Sequence, residues 1–109
     1  MTLDTQRKKG ILDICVLSVL LKGPSYGYRI VRETSECIEI SESTLYPILK
    51  RLENTGCLTT YKQEHQGRMR KYYEITEAGK DKIQEFLAEW EEIKSIYTFV
   101  QERTKQGGD

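Results

Sequence analysis

Ser43-Thr44-Leu45-Tyr46-Pro47-Ile48-Leu49-Lys50-Arg51-Leu52-Glu53-Asn54-Thr55 reads as one short helix with two unlike faces. Leu45, Ile48, Leu49 and Leu52 recur at i, i+3, i+4 and i+7, the spacing that lines one side of a 3.6-residue helix, so they form a buried stripe. The opposite side presents Ser43, Pro47, Lys50 and Asn54, flanked by Tyr46 and Arg51. Pro47 lacks an N–H and crowds the carbonyl four residues back, which requires the helix to begin near Ser43. Gly56 ends it after Thr55.

Upstream, a first helix is expected over Gly10 to Leu21, stopped by Lys22-Gly23-Pro24. Only Asp13 and Ser18 are polar between Ile11 and Leu21, so apolar side chains wrap most of this helix. A small domain covers one such face, and the other needs a second cover. Ser25 is placed to cap a short second helix, Tyr26 to Thr34, whose Ile30 and Val31 point inward, with Ser35 to Ile40 as the connection.

Downstream, Leu58 to Gln63 and Lys71 to Ile75 are rich in Thr and Tyr and read as strands. Between them Glu64-His65-Gln66-Gly67 and Arg68-Met69-Arg70 make a turn with a basic tip. Thr76 caps a long fourth helix reaching Gln101 or beyond, with residues 107–109 frayed. Helix, helix, turn, helix and a two-stranded wing is the order of a winged helix-turn-helix, a mainly α fold with a small β-hairpin. The expected division is 1–75 for that unit and 76–109 for the C-terminal helix and tail.

The chain has 109 residues, and its 17 basic and 17 acidic side chains cancel. The balance hides a polarity: residues 1–75 hold 12 basic against 9 acidic, and 76–109 hold 5 against 8, so the parts carry +3 and −3. Phosphate contacts belong to the first part. Cys15, Cys37 and Cys57 are odd in number, with no C-x-x-C pair, which excludes a disulfide framework and a zinc knuckle and points to a reducing compartment. Cys15 reads as a core residue, while Cys37 and Cys57, near helix ends, read as candidates for exposure and oxidation. Ile11 to Leu21 is too short to span a bilayer and lacks a cleavage site, so a cytoplasmic protein without a membrane partner is expected. His65, on a turn, reads as solvated or phosphate-contacting. No phosphate loop, nucleophile elbow or metal motif appears; neither an enzyme nor a cofactor is expected.

Two basic clusters carry the function. A polar outer face on one helix is ordinarily just solvated. Here Lys50 and Arg51 lie on the helix that a winged helix places in the major groove, and Arg68, Arg70 and Lys71 lie on the wing beside Tyr61, Tyr72 and Tyr73. Cations on both elements suit phosphates, and hydroxyls and an amide suit base edges, which favours double-stranded DNA as partner.

The fourth helix carries Ile83, Phe86, Trp90, Ile93, Tyr97 and Val100 in alternating steps of three and four, with Leu87 and Ile96 widening the stripe. Such a helix outruns the three-helix body, so a second copy of the chain is the economical cover, giving a two-fold dimer whose operator is an inverted repeat.

Three segments then resemble a known family. Leu21-Lys22-Gly23-Pro24-Ser25-Tyr26-Gly27-Tyr28, Ser43 to Glu53, and Gly67-Arg68-Met69-Arg70-Lys71-Tyr72-Tyr73-Glu74-Ile75-Thr76 are similar to the PadR family of bacterial transcriptional regulators. The resemblance implies a homodimeric winged-helix repressor, with Ser25, Tyr26, Ser43, Thr44, Tyr46, Pro47, Lys50, Arg51, Arg68, Arg70 and Lys71 at the DNA. It further implies control of genes for phenolic-acid detoxification, drug efflux or envelope stress. Glu89-Trp90-Glu91 resembles the small multidrug-responsive members, in which a planar aromatic molecule sits between paired tryptophans. That places Ile14, Ser18, Phe86, Leu87, Trp90 and Lys94 around a ligand, with Lys94 standing where such members carry an acidic residue. The competing readings are a winged-helix protein-interaction module with an idle DNA surface and a drug-sequestering protein without operator function.

Overall fold

The computed structural model describes the backbone of residues 5–107 and the side chains of 10–107. Helix α1 (Thr5–Val19) runs into a 3-10 turn (Leu20–Lys22) and a two-residue strand β1 (Ser25–Tyr26). Helices α2 (Gly27–Thr34) and α3 (Glu42–Asn54) follow, then strands β2 (Leu58–His65) and β3 (Arg68–Ile75) and the long helix α4 (Glu77–Gly107). This is the expected mainly helical winged fold, with a sheet of three antiparallel strands in the order β1-β3-β2.

Apolar faces of every helix meet in one core. Leu12, Val16, Leu17 and Leu20 enter from the first helical segment, Ile30 from α2, and Leu45, Ile48, Leu49 and Leu52 from α3, all buried. Leu58 and Tyr73 close the sheet side, and Ile83 is the contribution of α4. The outer side of α1 keeps part of its apolar surface: Ser18 and Leu21 are exposed, and Ile11, Cys15 and Val19 are half-buried.

Three local expectations are corrected. Ser25 does not cap α2. It pairs with Tyr73 in β1, and Tyr26, in extended backbone, precedes the helix without a side-chain cap bond. The first helix begins at least five residues ahead of Gly10, because that glycine is tolerated in a segment of otherwise helical residues. The stretch Glu64 to Arg70 is strand rather than connection. Only Gln66 and Gly67 turn the chain, both at positive φ (54° and 81°), as the tight two-residue hairpin turn demands, and glycine takes the second position without steric cost.

The ends of α3 and α4 follow their local chemistry. Ser41, one turn-start earlier than the sequence implied, accepts a bond from the Thr44 N–H through its Oγ at 3.3 Å. Thr76 accepts from the Gly79 N–H at 3.2 Å while its hydroxyl donates to the Gly56 carbonyl at 2.6 Å, which ties the start of α4 to the end of α3. Helix α4 spans 31 residues, roughly 46 Å at 1.5 Å each, and its outer half projects, giving extents of 67 × 26 × 22 Å. Gly107 closes the helix, and the expectation for residues 108 and 109 lies outside the described residues.

Candidate nucleic-acid interface

Burial of the Leu45/Ile48/Leu49/Leu52 stripe fixes the roll of α3 and leaves Ser43, Thr44, Tyr46, Pro47, Lys50 and Asn54 exposed together on its outer side. The Ser41 hydroxyl lies 2.9 Å from that of Ser43 and 3.2 Å from that of Thr44, so three hydroxyls gather at the helix N-terminus, where unpaired N–H groups favour anions. Tyr46 reaches back over the start of α2. A Cβ on Gly27 would lie 2.5 Å from the Tyr46 hydroxyl, so a larger residue there would push the Tyr46 ring aside.

A groove of about 450 Å³ separates α3 from the wing, lined by Tyr46, Lys50, Glu53, Asn54, Lys71 and Tyr73. Glu53 stands at its floor, accepting from Thr60 Oγ1 at 3.1 Å and lying 3.9 Å from Lys71 Nζ. The Tyr73 hydroxyl is held above its ordinary pKa by burial, then by Tyr46 and Glu53 beside it, so it stays a neutral donor at neutral pH.

Arg51 is turned away from this face. Its Nη2 and Nε both donate to the carboxylate of Asp13 on α1, the second bond at 3.4 Å, and the Asp13 side chain is only 8% exposed. A buried carboxylate needs such a partner, and the helical neighbour of Lys50 therefore serves the fold. Ser25 is likewise withdrawn: it is 3% exposed, and its hydroxyl accepts from Arg29 Nε at 2.9 Å.

The wing sorts its cations by strand alternation. The register pairs His65 with Arg68, Gln63 with Arg70, and Tyr61 and Tyr26 with Tyr72, which puts Arg68 and Arg70 on one face. Lys71 opposes Lys62 on the other, toward α3. On the arginine face Tyr61 stacks on Tyr72 at 5.5 Å, Tyr26 meets Tyr72 edge-on at 5.7 Å, and the Arg70 guanidinium lies 4.4 Å from the Tyr26 ring centre. Arg70 is half-buried with an unpartnered Nε, so it is more enclosed than the cation at a basic tip that the sequence implies. Arg29 and Lys62 join the surface unforeseen. Arg29 stands 5.1 Å from the same Tyr26 ring and donates to the Pro24 carbonyl at 2.9 Å.

The sequence of the core and recognition segments matches the family model described as "Transcriptional regulator PadR-like family" over residues 16–85. The chain belongs to the PadR-like family of transcriptional regulators. A protein of Lysinibacillus sphaericus is 36% identical over 99 residues, which are 86% of this chain and 91% of that one. Among solved structures, a Streptococcus mutans protein is 41% identical, with a TM-score of 0.76 over 86% of this chain and 89% of its own. A PadR-like transcription factor of Bacteroides fragilis is 35% identical, with a TM-score of 0.78 over 88% and 95%. Bacillus subtilis PadR, solved with operator DNA, is 28% identical with a TM-score of 0.64, over 71% of this chain and 46% of that protein.

The family match ends before Phe86, and the PadR-like chain carries a second feature beyond it. Phe86 and Trp90 tilt against each other with ring centres 5.9 Å apart and, with Gly10, Ile11, Glu89 and Ile93, line an open cavity of about 230 Å³. The other residues expected around a ligand are not gathered there. Ile14 and Ser18 line a separate recess beside Cys15, Leu87 is exposed, and Lys94 lies 4.0 Å from Glu91. From Ile93 at the cavity's edge onward the stripe is uncovered: Ile93 is 39% exposed, Val100 54% and Tyr97 63%. Among the described residues no helix is long and apolar enough to cross a membrane, and no cluster of three or more metal-ligating side chains occurs.

Proposed function

We propose that this regulator is an operator-binding repressor that works as a two-fold dimer. The observation that carries the reading is the exposed set Ser43, Thr44, Tyr46, Pro47, Lys50 and Asn54 on a helix whose opposite side is locked in the core, beside a groove shared with Lys71. The width of an α-helix suits the major groove, where Lys50 and Asn54 meet base edges and the hydroxyls at the helix N-terminus meet phosphate. Lys71 and Lys62 then follow the flanking backbone, and Arg68 and Arg70 hold it from the wing's other face. The operator complex of the related Bacillus subtilis protein supports a DNA partner.

The uncovered apolar run of α4 and Ile11 on α1, beside the Phe86–Trp90 cavity, supply a face for a second copy, which sets two recognition helices about one DNA turn apart, near 34 Å. The Phe86–Trp90 cavity, open on that side, accommodates a planar aromatic molecule. Such a ligand lowers DNA affinity only if it prefers one spacing of the two α3 helices, since equal affinity for both arrangements shifts nothing. Cytoplasmic placement follows from a chromosomal target.

Titrating duplexes from the DNA flanking the regulator's own gene at several salt concentrations tests the reading. One duplex should bind far more tightly than random DNA, with affinity falling steeply as salt rises. Trp90 is the sole tryptophan, so quenching by planar dyes, flavins or phenolic acids that also releases operator would support ligand control. Equal, salt-insensitive binding to all duplexes would leave a protein-interaction module, and quenching with unchanged DNA affinity a drug-sequestering protein.

A further inference from the structure

Cys15 on α1 and Cys37 just after α2 are 22 positions apart in sequence yet line one recess of about 350 Å³. The backbone holds this meeting in place: the Cys37 and Ile38 N–H groups both donate to the Thr34 carbonyl at 3.0 Å, so the chain turns sharply at the end of α2 and delivers Cys37 back to α1. The two sulfurs differ in access. Cys37 is exposed, Cys15 is half-buried, and the third thiol, Cys57, is buried in the core away from both. The same recess is lined by Thr34, whose buried hydroxyl has no hydrogen-bond partner although the residue is 1% exposed. A buried hydroxyl without a partner beside two thiols is free to donate to an oxygen brought into the recess.

We propose that Cys15 and Cys37 are an oxidisable thiol pair that takes hydrogen peroxide or a small organic hydroperoxide and closes to an intramolecular disulfide, releasing operator DNA. Cys37 meets the oxidant first. Its thiolate attacks the terminal peroxide oxygen, an S–O bond forms as the O–O bond breaks, and hydroxide, or alkoxide from an organic hydroperoxide, leaves and takes a proton to become water or an alcohol, with the sulfur oxidised to a sulfenic acid and the peroxide reduced. The Thr34 hydroxyl is placed to donate to that new oxygen. Cys15 then gives up its proton and attacks the Cys37 sulfur, the S–S bond forms as the S–O bond breaks, and the hydroxyl leaves with the proton as water. Burial, reinforced by the neighbouring Cys37, raises the Cys15 pKa, so Cys15 is the thiol that waits in protonated form and resolves.

The release of DNA rests on the operator-binding reading above, and follows from where the bond would pull. A disulfide holds its sulfurs about 2.0 Å apart, closer than any non-bonded contact between two thiols. Closing that gap draws the connection after α2 toward α1, and four residues beyond Cys37 the same connection supplies Ser41, the cap of α3. The N-terminal turn of α3, with the Ser43 and Thr44 hydroxyls, is thereby displaced from the position its cap sets.

Treating the full-length protein with hydrogen peroxide and mapping its peptides without reduction tests the chemistry. The expected product joins Cys15 to Cys37, loses two hydrogens, leaves Cys57 reduced, and reverts with dithiothreitol. Cys15→Ser should instead trap a sulfenic acid on Cys37, and Cys37→Ser should leave Cys15 unoxidised at the same dose. Over-oxidation of Cys37 with Cys15 still free, or a bond between two chains, overturns the pairing. In the DNA titration the oxidised protein should bind its operator about tenfold more weakly than the reduced one, with Cys37→Ser indifferent to peroxide. A complete disulfide with unchanged operator affinity overturns the switch. Failure of the reduced protein to bind any operator overturns the operator reading instead, and the peptide map still decides the pairing.

Discussion

Helix α3 and the outer half of α4 bear apolar stripes of the same kind, and they meet different fates. Leu45, Ile48, Leu49 and Leu52 are at most 4% exposed, whereas Ile93, Ile96, Tyr97 and Val100 are 39–63% exposed. The stripe on α3 is short enough to be covered by α1, α2 and the sheet. Helix α4 leaves the body after Ile83 and Phe86, and among the described residues nothing covers the rest. Periodicity thus states that a face must be covered without stating by which chain, and on our reading a second copy covers it. Uncovered, this face would be an unusually large apolar patch.

Changes to the body should cost most. Leu52→Ala removes a side chain with no exposure and should cost about 2–5 kcal/mol, lowering the melting temperature by roughly 10 °C or more. Val100→Ala, at the far end of α4, should stay within about 1 kcal/mol and show its cost only at low protein concentration, where dissociation contributes. Equal losses at both positions, measured by thermal melts at two concentrations, would erase the distinction between the stripes.

Next in size is the ion pair that fastens α3 to α1. Arg51→Ala strands the buried Asp13 carboxylate, and because the arginine is itself 42% exposed the loss should be about 1–3 kcal/mol, below that of a fully buried pair. Adding Asp13→Asn should restore much of it. A double-mutant cycle with no coupling would show that the contact contributes nothing to the seating of α3.

Smaller still are effects confined to DNA. Lys50→Ala should weaken the preferred operator by about 1–3 kcal/mol more than random DNA, because on the proposed reading its side chain meets base edges. Lys71→Ala and Arg70→Ala should weaken both duplexes alike and flatten the salt dependence by about one unit each. Arg70→Ala carries an added loss of stability, since its guanidinium rests on Tyr26. Equal losses on both duplexes for Lys50→Ala would remove α3 from the groove.

What was legible in the sequence follows from which signals are local. The α3 stripe, the Thr76 cap and the outward Ser43, Pro47, Lys50 and Asn54 rest on helical periodicity and on a side chain bonding its own helix, so they could be read without the fold. Strand β1 could not, because two residues hold no period and Ser25 before Tyr26 looks like a cap until Tyr73 pairs with it. Glu64 and Arg68-Met69-Arg70 are polar enough to resemble a loop, so the wing reads shorter in sequence than it is. The missed extension hid the alternation that separates Arg70 from Lys71. Arg51 was assigned outward because nothing near it in sequence names Asp13, 38 positions away. The meeting of Cys15 with Cys37 is equally a product of tertiary structure. The resemblance to PadR-like regulators identified the family, while the residues expected around a ligand are divided between two separate recesses of the chain.

The uncovered stripe of α4 gives the most direct test. Sedimentation velocity of the native protein at micromolar concentration should show a dimer, and Ile93→Glu, which sets a charge in the seam, should sediment as a monomer with operator affinity lost. A native protein that sediments as a folded monomer, or an Ile93→Glu variant that remains dimeric, would contradict the account.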